Sequence, residues 1–220
     1  MSKIRTLLAI GALFLTTLAP ALRADEISEM NSDIAKVRGQ WETLKFTMRA
    51  GDKQTMLMNQ LGQDADQLAT KYPNHAEALI WDGIITSERA SMASAFSALT
   101  LAKRARDILQ KAYDIDPRAL DAGAPTSLAV LYYRVPGFPL GFGDTKKARA
   151  LLEEAVRSAP QGLDTQYFYG DFLYEQHEYP KAEAVLQQAL KIPPSQDRPL
   201  WDHNRRLVIE QLIGKIKAKA

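Results

Sequence analysis

The sequence of 220 residues predicts an all-α protein, an α-solenoid of stacked antiparallel helix pairs with about nine helices. Three observations predict this fold. Apolar residues recur at helical spacing along most of the chain. One arrangement of small and apolar residues returns three times, and a proline follows each copy. Because such units bury their apolar faces only against their neighbours, we expect them to stack side by side.

Residues 1–24 have the layout of a secretory signal peptide. A short basic start precedes an apolar run at residues 7–18, and small residues follow. The run is too short to span a bilayer, which needs about 20 apolar residues. We expect export and cleavage after Ala24, with Ala21 as the other fitting position, and no stable membrane anchor after cleavage. An uncleaved N-terminal anchor is the alternative.

The composition indicates a cellular compartment and argues against one class of partner. The chain has no cysteine, which excludes disulfides and a lipid anchor on cysteine and suits the oxidising bacterial periplasm. Removal of Lys3, Arg5 and Arg23 from the 28 basic residues leaves 25 against 26 acidic residues, a net charge of −1. We therefore expect a periplasmic protein, and nucleic acid is not an expected partner.

The repeated unit is a helical stripe at positions i, i+3, i+4, i+7 and i+8, with a proline twelve residues after its first alanine. Since proline has no N–H to donate, each copy is expected to end its helix there. The three copies are Ala105, Ile108, Leu109, Ala112, Tyr113 and Pro117; Ala148, Leu151, Leu152, Ala155, Val156 and Pro160; and Ala182, Val185, Leu186, Ala189, Leu190 and Pro194.

A second helix precedes each of these helices and carries a small residue that allows close packing. Gly83 and Gly170 each lie ten residues after a proline, and Ala129 takes this place in the middle repeat. A degenerate fourth copy comes earlier, although Asp64 occupies one of its apolar positions. Its remaining residues are Leu61, Ala65, Leu68, Ala69 and Pro73.

These patterns predict helices and a division of the chain. The expected helices are residues 27–50, 53–71, 75–92, 98–115, 121–134, 145–159, 163–177, 180–191 and 198–217. The expected segments are the signal peptide at 1–24, a helical hairpin at 25–74, three repeats at 75–196 with insertions near 91–99 and 135–143, and a capping helix at 197–220. Asp144 or Thr145 can cap the helix after the second insertion.

The last repeat resembles the tetratricopeptide repeat (TPR), which also has a period of 34 residues. Its small, alanine, bulky apolar and proline positions are filled by Gly170, Ala182, Leu186, Ala189 and Pro194. The resemblance covers residues 75–196, although Gln166 and Leu79 replace the usual aromatic residue of the first helix. It implies a protein that binds other proteins.

A more specific resemblance comes from "YYRVPGFPLGFGDTKKARALLEEAV", "LDTQYFYGDFLYEQHEYPKAEAVLQQALKIPP" and "DRPLWDHNRR". Together they look like exported bacterial repeat proteins similar to the T component of tripartite (TRAP) solute transport systems. This resemblance implies a periplasmic helical protein that can form homotrimers and meet a solute-binding protein.

The insertion at 135–143 carries Phe138, Leu140 and Phe142 among prolines and glycines. Prolines stiffen such a loop and glycines permit unusual dihedral angles. Its apolar side chains can contact another protein or a second subunit. They can instead pack back onto their own repeat, or cover a ligand.

Two further groups are candidate binding residues. The first group can face the concave surface and contact a ligand, and consists of Tyr167, Tyr169, Asp171 and Tyr174. Phe168 and Phe172 lie on another side of the same helix. Ordinary core packing is the alternative for this group. Arg198, His203, Arg205 and Arg206 can bind an anion or carboxylate; a helix start with solvated arginines is the alternative.

Nothing in the sequence indicates catalysis. None of the three histidines has metal-ligand spacing, and no nucleophile elbow or phosphate loop occurs. We expect no enzyme activity, no metal and no cofactor. The predicted function is a periplasmic protein-interaction scaffold, an accessory subunit for TRAP-type solute uptake. The alternative is a carrier of a small molecule or lipid in a helical groove or an oligomeric pore.

Overall fold

The computed structural model describes residues 18–219, and within them the chain forms nine α-helices and no β-strand. Residues 1–17, most of the predicted signal peptide, lie outside this range. The helices are α1 (Leu18–Thr47), α2 (Asp52–Lys71), α3 (Ala76–Met92), α4 (Ala95–Ile115), α5 (Ala119–Arg134), α6 (Thr145–Ser158), α7 (Leu163–Glu175), α8 (Tyr179–Ala189) and α9 (Pro199–Lys217). The predicted all-α solenoid is confirmed. None of these helices is long and apolar enough to cross a bilayer.

The helices stack as antiparallel pairs in two layers. The pairs α1–α2, α3–α4, α5–α6 and α7–α8 pack internally, and each pair packs against the next. The odd-numbered helices form the inner layer, since α3 contacts α1 and α5, and α5 contacts α7. Helix α9 contacts α7 and also α1, so the inner layer curves until the last helix meets the first.

The small residues of the repeat are where the paired helices touch. The alanines at 105, 112, 148, 155, 182 and 189 are fully buried. A methyl group on Gly83 or Gly170 would come within 2.6 Å of the Leu109 or Leu186 side chain, respectively. Glycine at these two positions therefore lets each helix pair approach more closely than any other residue would allow.

The predicted ends of the repeat helices agree with the structure. Helices α4 and α6 end two residues before Pro117 and Pro160, and Pro194 follows the end of α8. The turn expected within the Ser-rich segment 91–99 lies there, and α4 begins at Ala95, three residues before its expected start. Only residues 93–94 separate α3 from α4, because most of the extra residues extend the two helices.

The insertion at 135–143 is a compact loop held by its own backbone. Gly143 N donates to Pro136 O at 2.9 Å, and Asp144 N donates to Tyr132 O at 2.8 Å. A methyl group on Gly143 would lie 2.9 Å from the Pro136 carbonyl carbon, so this close approach requires glycine. The Asp144 carboxylate then accepts from the backbone N–H groups of residues 146 and 147, which confirms it as the cap of α6.

The first turn of α5 is irregular. Leu120, Asp121 and Ala122 have φ values of 50°, 55° and 60°, in the left-handed region that L-residues rarely adopt. The turn is tied to α7, because Thr165 Oγ1 donates to Asp121 O at 2.7 Å. This contact with the next repeat places Leu120 and Asp121 on the inner side of the solenoid.

Candidate functional site

The curved inner layer encloses a cavity of about 1090 Å³. Residues of α1, α3, α5, α7 and α9 line it, together with the start of α4 and part of the 135–143 loop. Pockets that hold small ligands measure about 300–1,000 Å³, so this cavity is large enough for such a molecule or for a peptide segment. Its walls are mainly apolar and aromatic, with a few charged side chains.

All three tryptophans of the chain, Trp41, Trp81 and Trp201, line this cavity. The rings of Trp41 and Trp81 meet edge to face with centroids 5.7 Å apart. The Trp41 indole N–H is buried without a hydrogen-bond acceptor among residues 18–219. The tryptophans come from α1, α3 and α9, and α1 contacts both of the other helices because the solenoid closes on itself.

Arg198 lies between two of these tryptophans. Its guanidinium carbon is 4.1 Å from the ring centroid of Trp201 and 5.6 Å from that of Trp81. On its other side, Arg198 Nε donates to Glu42 Oε1 at 2.6 Å. Stacking and pairing together hold the guanidinium in one orientation at the cavity wall.

Arg205, about two turns further along α9, has a similar environment. Its guanidinium stacks on Tyr167 at 4.2 Å and on Phe168 at 5.0 Å, and its Nε lies 2.5 Å from Asp164 Oδ1. The other oxygen of Asp164 accepts from Trp201 Nε1 at 3.1 Å. Asp164 therefore links Arg205 to Trp201, and through that ring to Arg198.

The four residues predicted to bind an anion are divided by the structure. Arg198 and Arg205 line the cavity. Arg206 points elsewhere: it pairs with Asp202 and donates to the carbonyl oxygens of Leu190 and Ile192, so it holds α9 to the end of α8. His203 is exposed and does not line the cavity. Successive helical residues point about 100° apart, which explains this division.

The four predicted groove residues of α7 are also divided. Tyr167 lines the cavity, whereas Tyr169, Asp171 and Tyr174 do not, because the cavity borders only the first half of α7. Tyr174 instead packs on Tyr179 with ring centroids 5.6 Å apart. Phe168, which we placed on another side of the helix, lines the cavity beside Tyr167.

Tyr169 lies half-buried on the outer side of α7, near Arg149 and Glu153 of α6. Asp171 is buried behind the cavity, where it accepts from Tyr133 Oη and Arg134 Nη2, both at 2.5 Å. Burial and the neighbouring Asp171 carboxylate raise the pKa of Tyr133 well above its usual range. Tyr133 therefore remains a hydrogen-bond donor at neutral pH, and Asp171 anchors α5 to α7.

The apolar residues of the 135–143 loop have two different environments. Phe138 is 93% exposed and Leu140 is 74% exposed. Phe142 packs inward, against the Tyr132 ring at 5.7 Å and beneath the Arg106 guanidinium at 4.7 Å. Phe142 therefore packs onto its own repeat, which is one of the alternatives that the sequence left open. Phe138 and Leu140 are exposed to solvent instead.

A third large apolar residue is exposed near this loop. Phe96, in the first turn of α4, is 91% exposed. The α3–α4 turn and the α5–α6 loop both join the first helix of a pair to the second, so they lie at the same end of the stack. Ala95 and Leu140 both line the cavity, and Phe96 and Phe138 lie one and two residues from them in the chain. We call the three exposed residues Phe96, Phe138 and Leu140 the apolar rim.

Within residues 18–219, no group of three or more histidine or acidic side chains is placed to hold a metal ion. Sequence reasoning missed Trp41, Trp81 and Phe46 as cavity residues. Their own segments carry no signal for it, because their position depends on how the helix pairs curve. The arginines were identifiable, since they follow the final repeat in a short cluster.

Comparison with known proteins supports the repeat assignment. Residues 140–202 match the family described as tetratricopeptide repeat. The matched segment runs from the end of the 135–143 loop to the start of α9 and so contains α6, α7 and α8. No curated protein matches the chain. The sequence match and the stacked helix pairs together show a TPR-like protein.

Proposed function

We propose that this TPR-like protein is an exported scaffold that holds another protein and serves TRAP-type solute uptake as an accessory subunit. The observation that carries the proposal is the apolar rim of Phe96, Phe138 and Leu140. Large apolar side chains exposed on a loop and at a helix end are typical of a surface that another protein covers.

The transport role rests on the resemblance of residues 75–210 to the T component of TRAP systems, and export rests on the layout of residues 1–24. In this function the partner is the periplasmic solute-binding protein. The apolar rim contacts this protein, and the cavity opens towards it. The loop is suited to such contact because backbone hydrogen bonds order it before a partner arrives.

Photo-crosslinking in intact cells tests the scaffold. A photoreactive amino acid at Phe138 should give one specific heavier adduct, and mass spectrometry should identify a solute-binding protein in it. Met56, an exposed residue of α2 away from the rim, is the matched control position and should give no such adduct. An adduct of twice the chain mass, or equal labelling from both positions, would overturn the proposal.

Export is tested separately by cell fractionation and intact-mass analysis of the protein made in a bacterial host. The expected product is a periplasmic chain that begins at Asp25. A cytoplasmic chain of full length would contradict export and would remove the periplasmic partner with it.

A second function, a carrier of a small molecule, is favoured by the enclosed aromatic cavity. The five inner-layer helices and the start of α4 line a volume of about 1090 Å³, and α9 contacts α1. Saturable binding of an amphipathic ligand, followed by the fluorescence of the three cavity tryptophans, would establish this function. The crosslinking experiment reports on the exposed loop and the binding experiment on the cavity, so each function is tested by its own measurement.

A further inference from the structure

Most carboxylates of the cavity wall already have partners, whereas two of its arginines keep hydrogen-bond donors without partners among the described residues. Glu88 accepts from Lys45 Nζ at 2.6 Å, and Asp164 Oδ2 accepts from Trp201 Nε1. The other oxygen of Asp164 is buried and forms an ion pair with Arg205 Nε without a hydrogen bond in the described chain. Of the carboxylates in the lining, Asp121 alone remains, at the exposed start of α5. The wall therefore has few free acceptors.

Donors, in contrast, remain available. Arg198 and Arg205 each use Nε to pair with a carboxylate, and within residues 18–219 their Nη atoms donate no hydrogen bond. These Nη atoms are not fully buried. The fully buried polar atoms without a hydrogen-bond partner in residues 18–219 include no Nη atom of Arg198 or Arg205. Two fixed guanidinium groups thus present unused N–H donors at the cavity wall.

The two guanidinium groups belong to one connected structure. Arg198 stacks on Trp201, Trp201 donates to Asp164, and Asp164 pairs with Arg205. Because both are stacked on aromatic rings and paired at Nε, they lose little further side-chain entropy when a ligand binds. The surrounding wall consists of aromatic and aliphatic side chains: Phe46, Ile84, Leu99, Val130, Leu131 and Val208.

We infer that this cavity binds a small amphipathic carboxylate, a hydrocarbon acid of medium chain length, with its carboxylate on the Nη atoms of Arg198 and Arg205. The hydrocarbon chain lies against the three tryptophans and the aliphatic wall. This inference rests on the carrier function proposed above and names the ligand class. A carboxylate supplies the acceptors that the wall lacks, and an apolar body matches the rest of the lining.

Tryptophan fluorescence provides a direct measurement, since every tryptophan of the chain lies in the cavity. The probes are decanoate and 1-decanol, which share a ten-carbon skeleton and differ in charge, each below its aggregation concentration at pH 7.5. Decanoate should give a saturable change in fluorescence, and 1-decanol should bind at least ten-fold more weakly.

The variant R198Q/E42Q removes both members of one ion pair and so leaves no buried charge uncompensated. It should weaken decanoate binding at least ten-fold and leave 1-decanol binding unchanged. H203Q, an exposed change on the same helix, is the matched control and should bind as the parent does. Circular dichroism checks that each variant is folded.

The outcomes separate the two levels of the proposal. Equal affinity for decanoate and 1-decanol would overturn the carboxylate inference and leave an apolar carrier. Binding of neither probe to the folded protein would overturn the carrier function as well. If R198Q/E42Q does not fold, the comparison of the two probes on the unmodified protein still decides the inference.

Discussion

Arg198 Nε lies 2.6 Å from Glu42 Oε1, although 156 residues separate the two in the chain. The pair joins α9 to α1 and closes the inner layer around the cavity. Neither side chain is adjacent to a repeat motif that would indicate this contact. This contact converts an open superhelical surface into an enclosed one. The contribution of the ion pair to the free energy of unfolding can be measured.

Glu42→Gln should lower the free energy of unfolding by about 2 kcal/mol, because it leaves the largely buried Arg198 without its countercharge. Urea denaturation followed by circular dichroism measures the change. Lys36→Gln is the matched control on the same helix, since the Lys36–Asp33 pair is exposed and should contribute less than about 0.5 kcal/mol. Equal effects of the two changes would contradict a closing role for Arg198 and Glu42.

Alanine at Gly83 or Gly170 should destabilise the protein by about 1–3 kcal/mol, because the added methyl group meets a buried leucine of the paired helix. Gly214 provides the control, because a methyl group there would meet no atom of the described residues within 4 Å. Gly214→Ala should stabilise α9 by about 0.5–1 kcal/mol. Thermal unfolding checks both signs, and a stabilising effect at Gly83 would contradict the close approach of α3 and α4.

Asp82 gives the protein an unusual dependence on pH. Burial, with the nearby Asp66 carboxylate as the second cause, raises the pKa of Asp82 to about 6. The folded state then holds a proton that the unfolded state releases near pH 4, so stability should fall as the pH rises from 4 to 7. Asp82→Asn should be more stable than the parent at pH 7, and this advantage should shrink towards pH 4.

Urea midpoints at several pH values measure this linkage. Titrating groups far from Asp82 affect the parent and the variant alike, so the difference between the two reports on Asp82 together with its neighbour Asp66. A difference that stays constant from pH 4 to pH 7 would show that Asp82 has an ordinary pKa in the folded protein.

The two phenylalanines of the 135–143 loop should respond differently to truncation. Phe142→Ala should cost about 1–2 kcal/mol, because it removes the packing on Tyr132 and Arg106. Phe138→Ala should change stability by less than about 0.5 kcal/mol, since its side chain faces solvent. Differential scanning calorimetry compares the two, and a large cost at Phe138 would show that its ring is buried.

Much of the fold could be predicted because its signals are local. The alanines of each repeat lie within a few turns of one helix, and a proline marks each helix end, so a short stretch of sequence contains the whole pattern. The cap at Asp144 is equally local, since its partners are two and three residues away. The segment at 91–99 was harder, because serine and alanine are compatible with both a turn and a helix.

The candidate site could be predicted only in part. Arg205 and Arg206 are adjacent in sequence, yet the first lines the cavity and the second binds the end of α8, because α9 has a particular rotation about its axis. Tyr167 and Phe168 both reach the cavity because the side of α7 directed at the cavity lies between these two residues. Such rotations depend on packing with neighbouring helices, which no single segment encodes.

The amino-acid pattern alone is sufficient for the helices, their pairing and the small residues between them, since these depend on contacts within one or two repeats. The cavity, its three tryptophans and the pairing of Arg198 with Glu42 depend on the sum of small rotations between successive helix pairs. That sum brings α9 to α1 only when all pairs are packed together, so the tertiary structure alone reveals the enclosed site.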